Sequence, residues 1–380
     1  MRCAEAVTAG FRQRFAAEPE LWARAPGRVD LMGSHTDYNL GFVLTLPISR
    51  ETWIAARRRA DNVVRLYSMN LDREDQFPLD DPEPAAESRW SNYVRGVART
   101  LANEGLALTG CDAVIHSTVP LASGLSSSAA LECAMATIFE GFGGWRLPPE
   151  RKALLCQKAE NEFVGVKCGI LDQFSSCLGR RGCALLLDCR DLSTRTVSIA
   201  HGIQVVICNT MSQRRLTGSE YAQRRAECEQ GAALLGVRAL RDVTPQMLAA
   251  RRHELPESVA RRCGFIVAES ARAEALARAL EAGDRPAATR LCADSFAGGR
   301  NLYEICSPAM EAMMTAMQSS PGFIGGRQAG AGFGGCMVAL VDAGLTDAFR
   351  TAVRETYLSL TQVDPEIYPV EAAPGAELFR

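Results

Sequence analysis

The stretch PLASGLSSSAA, residues 120–130, is the most informative part of this sequence. A turn of small residues runs directly into three consecutive serines, and the alanine-rich segment after them favours a helix. A helix that begins in this way points backbone N–H groups and the positive end of its dipole at one place, which suits a phosphate group. Ser126 is equally suited to cap an ordinary helix, so this stretch alone leaves both interpretations open.

Strands and helices alternate on both sides of this stretch. Residues 111–118, CDAVIHST, alternate as a strand does and lead into it. Upstream, a helix with Val7, Phe11 and Phe15 on one stripe, extended segments at 21–32, 42–48, 52–59 and 63–68, and a helix over about 90–104 are predicted. Downstream, helices over about 150–164 and from near Gly169 precede short buried strands at 184–188 and 204–209.

The second half of the chain is mostly helical. Helices are predicted near 217–235, 259–282, 284–294 and 302–318, and two strands then enclose a glycine-rich turn. The composition shifts near 190–205, which predicts an N-terminal domain of residues 1–200 and a C-terminal domain of residues 201–380. With no linker between them, we expect an α+β fold whose two domains pack closely around a cleft.

Composition excludes several classes of protein. Of 380 residues, 47% are hydrophobic and 23% charged, as in an ordinary globular chain, and the net charge of -2 is too small to attract nucleic acid or an acidic membrane. Neither a signal peptide nor a membrane span is found, which predicts a cytoplasmic protein. The 14 cysteines include no CxxC pair and histidines number only four, so we expect reduced thiols and no zinc site.

Three further segments carry polar or glycine-rich patterns. GRQAGAGFGGC, residues 326–336, holds more glycine than a turn between two strands requires, which indicates close approach of the backbone to a ligand. APGRVDLMGSHTDYNLG, residues 25–41, crowds polar side chains into a strand-turn-strand that is typical of a sugar site or of a solvated turn. In residues 159–176, Asp172 lies among apolar neighbours, where a carboxylate must be paired or functional.

These segments together resemble the galactokinase family within the GHMP small-molecule kinases. SGLSSSAA and GAGFGGC match the superfamily, while GRVDLMGSHTDYNLGFVL and CGILDQFSS match galactokinases, in the same order from residue 25 to residue 340. The resemblance implies transfer of phosphate from ATP to the anomeric hydroxyl of a monosaccharide. It also implies a ribosomal-S5-like N-terminal domain, a ferredoxin-like C-terminal domain, and a monomer or weak dimer.

The resemblance also assigns roles to residues, with MgATP and a monosaccharide as the ligands. It implies Asp172 as catalytic base and Arg28 as the stabiliser of developing charge, with Mg²⁺ held by Ser128 and Glu160. The implied sugar contacts are Ser34, His35, Thr36, Asp37, Gly169 and Tyr221, and the implied nucleotide contacts are Ser68, Ala122, Ser123, Gly124, Leu125, Ser126, Ser127 and Ser128.

Two positions depart from the family pattern. Where galactokinases have Glu in GEHTDY this chain has Ser34, and it has Asp30 where Asn is usual. The family's Glu accepts from sugar hydroxyls, notably at C6, and a serine cannot span the same gap. The expected substrate is D-galactose or a close relative, with L-arabinose as the alternative because it lacks the C6 hydroxymethyl group and because plant arabinokinases resemble this chain at both positions.

A regulator that senses sugar without turnover is a different class of hypothesis. Relatives of that kind lose residues from the serine loop, whereas Ser126, Ser127 and Ser128 are all present here with Glu160 and Asp172. The complete set of residues favours an active kinase.

Overall fold

Two β-sheets form the frame of the computed structural model, which describes residues 3–121, 123–212 and 219–380. The strands are β1 (Leu21–Met32), β2 (Phe42–Arg58), β3 (Val63–Ser68), β4 (Arg73–Pro78), β5 (Cys111–Ser117), β6 (Cys183–Asp188), β7 (Thr194–Ser198), β8 (Ile203–Asn209), β9 (Phe323–Gln328), β10 (Cys336–Asp342), β11 (Glu366–Val370) and β12 (Glu377–Phe379). The α-helices are α1 (Cys3–Phe15), α2 (Asn92–Asn103), α3 (Ser127–Gly143), α4 (Pro149–Ala159), α5 (Leu171–Leu178), α6 (Ser219–Leu234), α7 (Pro245–Arg251), α8 (Glu257–Ala282), α9 (Arg285–Gly298), α10 (Pro308–Gln318) and α11 (Thr346–Thr361).

The long strand β2 organises the first sheet. It pairs with β1 along one edge, and on its other edge its first residues pair with β6 while residues 52–58 pair with β5. The parallel pair β3 and β5 and the hairpin of β3 with β4 extend this sheet, and β7 pairs with β6. Strand β12 joins the sheet from the C-terminus beside β1. The two extended segments predicted at 42–48 and 52–59 are therefore one strand that runs through Ser49 to Glu51.

The second sheet is antiparallel, in the order β11-β8-β10-β9. Helices α10 and α11 supply apolar residues to one of its faces, among them Met313, Met317 and Phe349. Mixed sheets and helices confirm the predicted α+β class. The change of sheet falls between β7 and β8, at residues 199–202.

A continuous apolar core joins the two sheets. Val29 and Leu44 of the first sheet belong to the same buried cluster as Ile207 and Leu340 of the second, and Leu276 of α8 is part of it. Residues of both sheets thus share one buried apolar cluster. This confirms the close packing of the two halves that the missing linker predicted. No helix in the described ranges is long and apolar enough to cross a membrane.

Two helix starts differ from the sequence prediction. Helix α10 begins at Pro308 rather than near 302, because Ser307 caps it and residues 299–303 extend α9 as a turn of π-helix. Ser126 does not cap α3 with its side chain: it has φ 60°, in the left-handed region, and makes no side-chain hydrogen bond to the helix. A serine accepts that backbone conformation only at some cost in energy, which is typical of functional loops.

Candidate active site

Two cavities meet in the cleft of this fold, and they share two lining residues, Arg28 and Asp172. The smaller cavity, of about 370 Å³, is lined by Ser68, Gly124 and Ser126 to Ser128. The larger, of about 780 Å³, is lined by Ser34, His35, Asp37, Gly169 and Tyr221. Residues that the sequence analysis assigned to two different ligands therefore line two adjoining spaces.

Arg28 and Asp172 form an ion pair at the point where the cavities join. Arg28 Nη2 lies 2.6 Å from Asp172 Oδ1, and the two side chains are 8% and 21% exposed. A second nitrogen of Arg28, Nη1, donates to the carbonyl oxygen of Gly124 at 2.5 Å. Strand β1 and the start of α5 thus bring a cation and a carboxylate together beside the serine loop, so the apolar setting of Asp172 is relieved by pairing.

The serine loop presents hydroxyls and backbone to the smaller cavity. Gly124 has φ 87° and Ser126 φ 60°, so the chain makes a left-handed turn on each side of Leu125. Leu125 is fully buried, and its carbonyl oxygen accepts from the backbone N–H of Arg28 at 3.1 Å. The Oγ atom of Ser126 is buried without a hydrogen-bond partner among the described residues. A polar atom left in that state fits a site that is completed by a ligand.

Two of the residues predicted for the nucleotide do not line this cavity. Ser123 is buried, its hydroxyl donates to the carbonyl oxygen of Pro120 at 2.8 Å, and its own carbonyl accepts from Cys336 of β10 at 3.1 Å. Leu125 points into the apolar core. Both positions hold the loop in shape from beneath, and Ala122 lies outside the described residues.

Glu160 and Ser128 face each other across the border of the cavities. Burial raises the pKa of Glu160 to about 7, the charge of Asp172 adds to the rise, and hydrogen bonds from Cys168, Ser128 and Gln173 oppose it. The Gln173 amide donates to Glu160 Oε2 at 2.7 Å and to Glu132 Oε2 at 3.0 Å. One hydroxyl and one carboxylate are hard oxygen donors, the set with which proteins hold Mg²⁺ when phosphates supply the remaining ligands.

The loop between β1 and β2 forms one wall of the larger cavity. Gly33 at φ 102° and His35 at φ 65° turn the chain, and the Thr36 hydroxyl is 2.7 Å from the carbonyl oxygen of Gly33 and 2.6 Å from that of Phe42. Thr36 is fully buried and does not line the cavity, in contrast to its predicted contact with sugar. His35 reaches the glycine-rich segment, with Nε2 2.8 Å from the carbonyl oxygen of Ala331.

Asp37 of this loop lies against Gly169, and both line the larger cavity together with Tyr221. A Cβ atom at Gly169 would lie 1.5 Å from Asp37 Oδ2, so only glycine leaves the carboxylate its place. Burial raises the pKa of Asp37 to about 7, opposed by the backbone N–H of Tyr38 and reinforced by the charge of Asp172. The Tyr221 ring, on α6, lies 5.3 Å from the His35 ring between centroids. Polar groups beside aromatic rings are a setting that suits a sugar.

Ser34 lines the larger cavity, but its hydroxyl is taken up by the protein. It donates to Asp30 Oδ2 at 2.7 Å, lies 3.0 Å from the carbonyl oxygen of Gly330, and accepts from Arg327 Nη2 at 2.7 Å. The residue is 1% exposed.

Several lining residues were not found from the sequence. Trp90 and Tyr93 give the smaller cavity an aromatic side, and Arg225 and Glu229 of α6 line the larger one. The two aromatic residues begin an amphipathic helix, where nothing in the periodicity distinguishes a cavity from the core. The glycine-rich segment reaches the larger cavity, which Gly330 and Ala331 line.

Comparison with known families gives matches over three parts of the chain. "Galactokinase galactose-binding signature" matches residues 9–58, "GHMP kinases N terminal domain" matches residues 92–180, and "GHMP kinases C terminal" matches residues 276–358. The first covers the β1–β2 loop and the second covers the serine loop, Glu160 and Asp172.

Whole-chain relatives are similar along nearly their full length. A galactokinase of Roseiflexus sp. (strain RS-1) is 44% identical over 370 residues, which is 96% of this chain and 94% of that protein. A galactokinase of Chloroflexus aurantiacus is 43% identical over 373 residues, covering 97% and 95% of the two chains. The crystal structure of Lactococcus lactis galactokinase complexed with galactose is 32% identical with a TM-score of 0.94, covering 98% of this chain and 99% of that chain.

Proposed function

This chain belongs to the galactokinase family of the GHMP kinases, and on that premise we propose that its smaller cavity binds MgATP, its larger cavity binds D-galactose, and Asp172 with Arg28 acts where they meet. It is a sugar kinase that phosphorylates the anomeric hydroxyl of D-galactose or a close relative. The observation that carries the residue assignment is that Arg28 and Asp172 are the two residues common to both cavities.

In the proposed reaction the anomeric hydroxyl of the sugar lies against the Asp172 carboxylate. Its proton passes to Asp172 as the sugar oxygen bonds to the terminal phosphorus of ATP, and the bond from that phosphorus to ADP breaks. Arg28, already 2.6 Å from Asp172, orients the carboxylate and offers positive charge to the phosphoryl group. The left-handed serine loop contributes backbone N–H groups at the N-terminus of α3 for the phosphates.

Ser128 and Glu160 are the proposed holders of Mg²⁺. Their oxygen donors suit this ion, and they face each other between the phosphate side and the sugar side of the cleft. When bound, Mg²⁺ neutralises charge on the phosphates during transfer. Gln173 keeps the Glu160 carboxylate oriented through its amide group.

D-Galactose is the proposed substrate in preference to L-arabinose. Three relatives that are 43–44% identical to this chain are all named galactokinase. In addition, a carboxylate lies close to position 34 although the residue there is serine, because Asp30 Oδ2 is 2.7 Å from the Ser34 hydroxyl.

A coupled assay of ADP release tests the proposal. Purified protein with MgATP is given D-galactose, L-arabinose or 6-deoxy-D-galactose, and calorimetry measures sugar binding in parallel. We expect ADP release with galactose at the highest kcat/KM of the three sugars. Sugar binding without any ADP release would instead identify a sugar sensor, and a higher kcat/KM with L-arabinose would overturn the choice of substrate.

Three broader assignments remain proposals. We place the domain boundary at residue 200, where the chain passes from one sheet to the other, although β12 returns to the first sheet. We place the protein in the cytoplasm, in keeping with the absence of disulfides among the cysteines of the described residues. A monomer or weak dimer is the proposed state in solution.

A further inference from the structure

A buried group of charges lies at the wall of the larger cavity, which one of its members, Asp30, lines. Arg327 of β9 is fully buried, and its Nη2 atom lies 2.9 Å from Glu269 Oε1, whose side chain is also 0% exposed. Its Nη1 atom lies 3.6 Å from Asp30 Oδ1. Glu269 is also approached by Arg272, whose Nη1 atom lies 3.4 Å from Oε2. Two cations therefore face two carboxylates in a space that largely excludes water, where any change in the balance of charge is costly.

This group fixes the start of the sugar-side loop. The Ser34 hydroxyl accepts from Arg327 Nη2 at 2.7 Å and donates to Asp30 Oδ2 at 2.7 Å, so it bridges the cation and the carboxylate. The backbone N–H of Gly33 donates to Glu269 Oε1 at 3.2 Å. The residues that lead into His35 and Asp37 are thus held from beneath by side chains of the other domain.

The two departures from the family pattern both fall inside this group. Asp30 stands where Asn is usual, which adds one negative charge, and Ser34 stands where Glu is usual, which removes one. The two changes together leave the charge around Arg327 unaltered, whereas either one alone would not. Because Asp30 and Ser34 are hydrogen-bonded to each other, the structure offers a direct reason for the two changes to occur together.

We propose that Asp30 is a positioning residue for sugar binding, which supplies a carboxylate to Arg327 beside the neutral Ser34, and that Asp30 and Ser34 act as one coupled pair. This inference rests on the proposed function for its consequence in substrate binding. Asp30 acts through Ser34 and the loop, while Arg28 and Asp172 are held by contacts of their own. A change at Asp30 therefore affects KM for the sugar more than kcat.

A double-mutant cycle tests the coupling. The variants are Asp30→Asn, Ser34→Glu and the double variant Asp30→Asn/Ser34→Glu, each measured for melting temperature without ligands and for KM and kcat with galactose. Each single change is expected to lower the melting temperature and to raise KM by about tenfold, because it unbalances the buried charges. The double variant should recover most of both losses, and losses that simply add would overturn the proposal.

Two further variants separate charge from size and from general destabilisation. Asp30→Asn/Ser34→Gln has the size of the rescuing variant without its carboxylate, so it should not recover. Asp75→Asn breaks a comparable buried pair with Arg95, at 2.7 Å and away from the cleft, and its loss in melting temperature should add to that of Ser34→Glu without rescue. Recovery in either case would overturn the assignment of the effect to the carboxylate beside Arg327.

The two readouts keep the inference apart from the proposed function. If the unaltered protein releases no ADP with galactose, the proposed function fails, but the cycle in melting temperature still decides whether Asp30 and Ser34 are coupled. If Ser34→Glu alone does not fold while the double variant does, the coupling is supported. If neither folds, Asp30 does not stand in for a carboxylate at position 34.

Discussion

At the scale of single residues, Asp172 and Arg28 form an ion pair but have different proposed roles. Replacing Asp172 removes the proposed proton acceptor, and replacing Arg28 removes a positive charge. Asp172→Asn keeps the shape of the side chain and loses the group that takes the proton. We expect kcat to fall by about 10²- to 10⁴-fold, the range for general acid–base catalysis, with KM for ATP nearly unchanged. Steady-state kinetics with galactose provide the measurement.

Arg28→Ala should lower kcat to a similar degree, with part of the loss due to an unpaired Asp172 carboxylate. Arg24 is a matched control, since it lies on the same strand, is 5% exposed and pairs with Glu51 and Glu377, but lines neither cavity. Arg24→Ala should reduce stability and leave kcat within about threefold. A similar collapse of kcat in both arginine variants would show that Arg28 is structural.

The raised pKa of Glu160 predicts how the magnesium requirement depends on pH. Burial raises the pKa of Glu160 to about 7, above the ordinary value of 4.5 for a glutamate, so the side chain holds a proton through much of the range below pH 7. In the proposed site Mg²⁺ binds the Glu160 carboxylate and must displace that proton. The Mg²⁺ concentration for half-maximal activity should therefore rise as pH falls from about 8 to 6.

Glu160→Gln supplies the control for this dependence, because an amide has no proton to release in that range. This variant should need more Mg²⁺ at every pH, with a smaller change of requirement between pH 8 and 6 than the unaltered protein. An unchanged requirement at pH 8 would place the ion elsewhere.

At the scale of elements, the junction between the serine loop and α3 depends on backbone shape as well as on hydroxyls. Ser126 has φ 60°, a conformation that glycine adopts freely and β-branched residues resist. Ser126→Gly should keep or raise the free energy of unfolding by up to about 1 kcal/mol, whereas Ser126→Val should lower it by about 1–2 kcal/mol. Chemical denaturation measures both values.

The same pair of variants shows what the Ser126 hydroxyl does. Its Oγ atom has no partner among the described residues, so a bound phosphate is the expected partner, and Ser126→Gly should raise KM for ATP despite its stability. Gln362→Gly is the control, since Gln362 has φ 61° at the end of α11 and lines neither cavity. It should share the effect on stability and leave KM for ATP unchanged.

Local elements of the site could be predicted from the sequence, because neighbouring residues determine them. The serine loop, the turn between β1 and β2 and the helix that carries Asp172 all follow from short patterns. The contacts of Arg327 with Asp30 and Ser34 could not be predicted, because 297 and 293 residues separate these partners and no sequence spacing connects them. Thr36 was assigned to the sugar by its neighbours in the motif, while its hydroxyl satisfies the turn itself.

At the scale of the whole molecule, the last residues of the chain connect the two sheets. After β11 in the second sheet, β12 pairs with β1 in the first, and Glu377 meets Arg24 at 2.6 Å. Removal of residues 377–380 should lower the free energy of unfolding by about 1–3 kcal/mol, because Arg24 loses one of its two carboxylate partners and β1 gains an open edge.

Calorimetry distinguishes this loss from a general weakening. With the connection removed, the transition should broaden or divide, since β12 ties the C-terminal end of the chain to the first sheet. Glu377→Gln is the matched control, which keeps the strand and removes the charge, and it should retain a single sharp transition. A truncated chain that melts as sharply as the full chain would show that the shared core alone couples the two halves.

The order of these strands was beyond sequence analysis for a physical reason. A three-residue strand such as β12 carries too little pattern to be recognised, and its partner lies 353 residues away, as the Arg24 to Glu377 contact shows. The apolar core common to both sheets was foreseeable in outline, because no linker divides the chain. Which residues form this core, including those of α8, could be learned only from the structure.

The meeting of the two cavities at Arg28 and Asp172 also has a consequence for the end of the catalytic cycle. A sugar 1-phosphate bound in the larger cavity carries its phosphate into the space where the terminal phosphate of ATP has to lie. The product should therefore inhibit competitively against ATP as well as against galactose, and ADP should compete with ATP alone. Accumulation of product would then slow its own formation even when galactose is abundant.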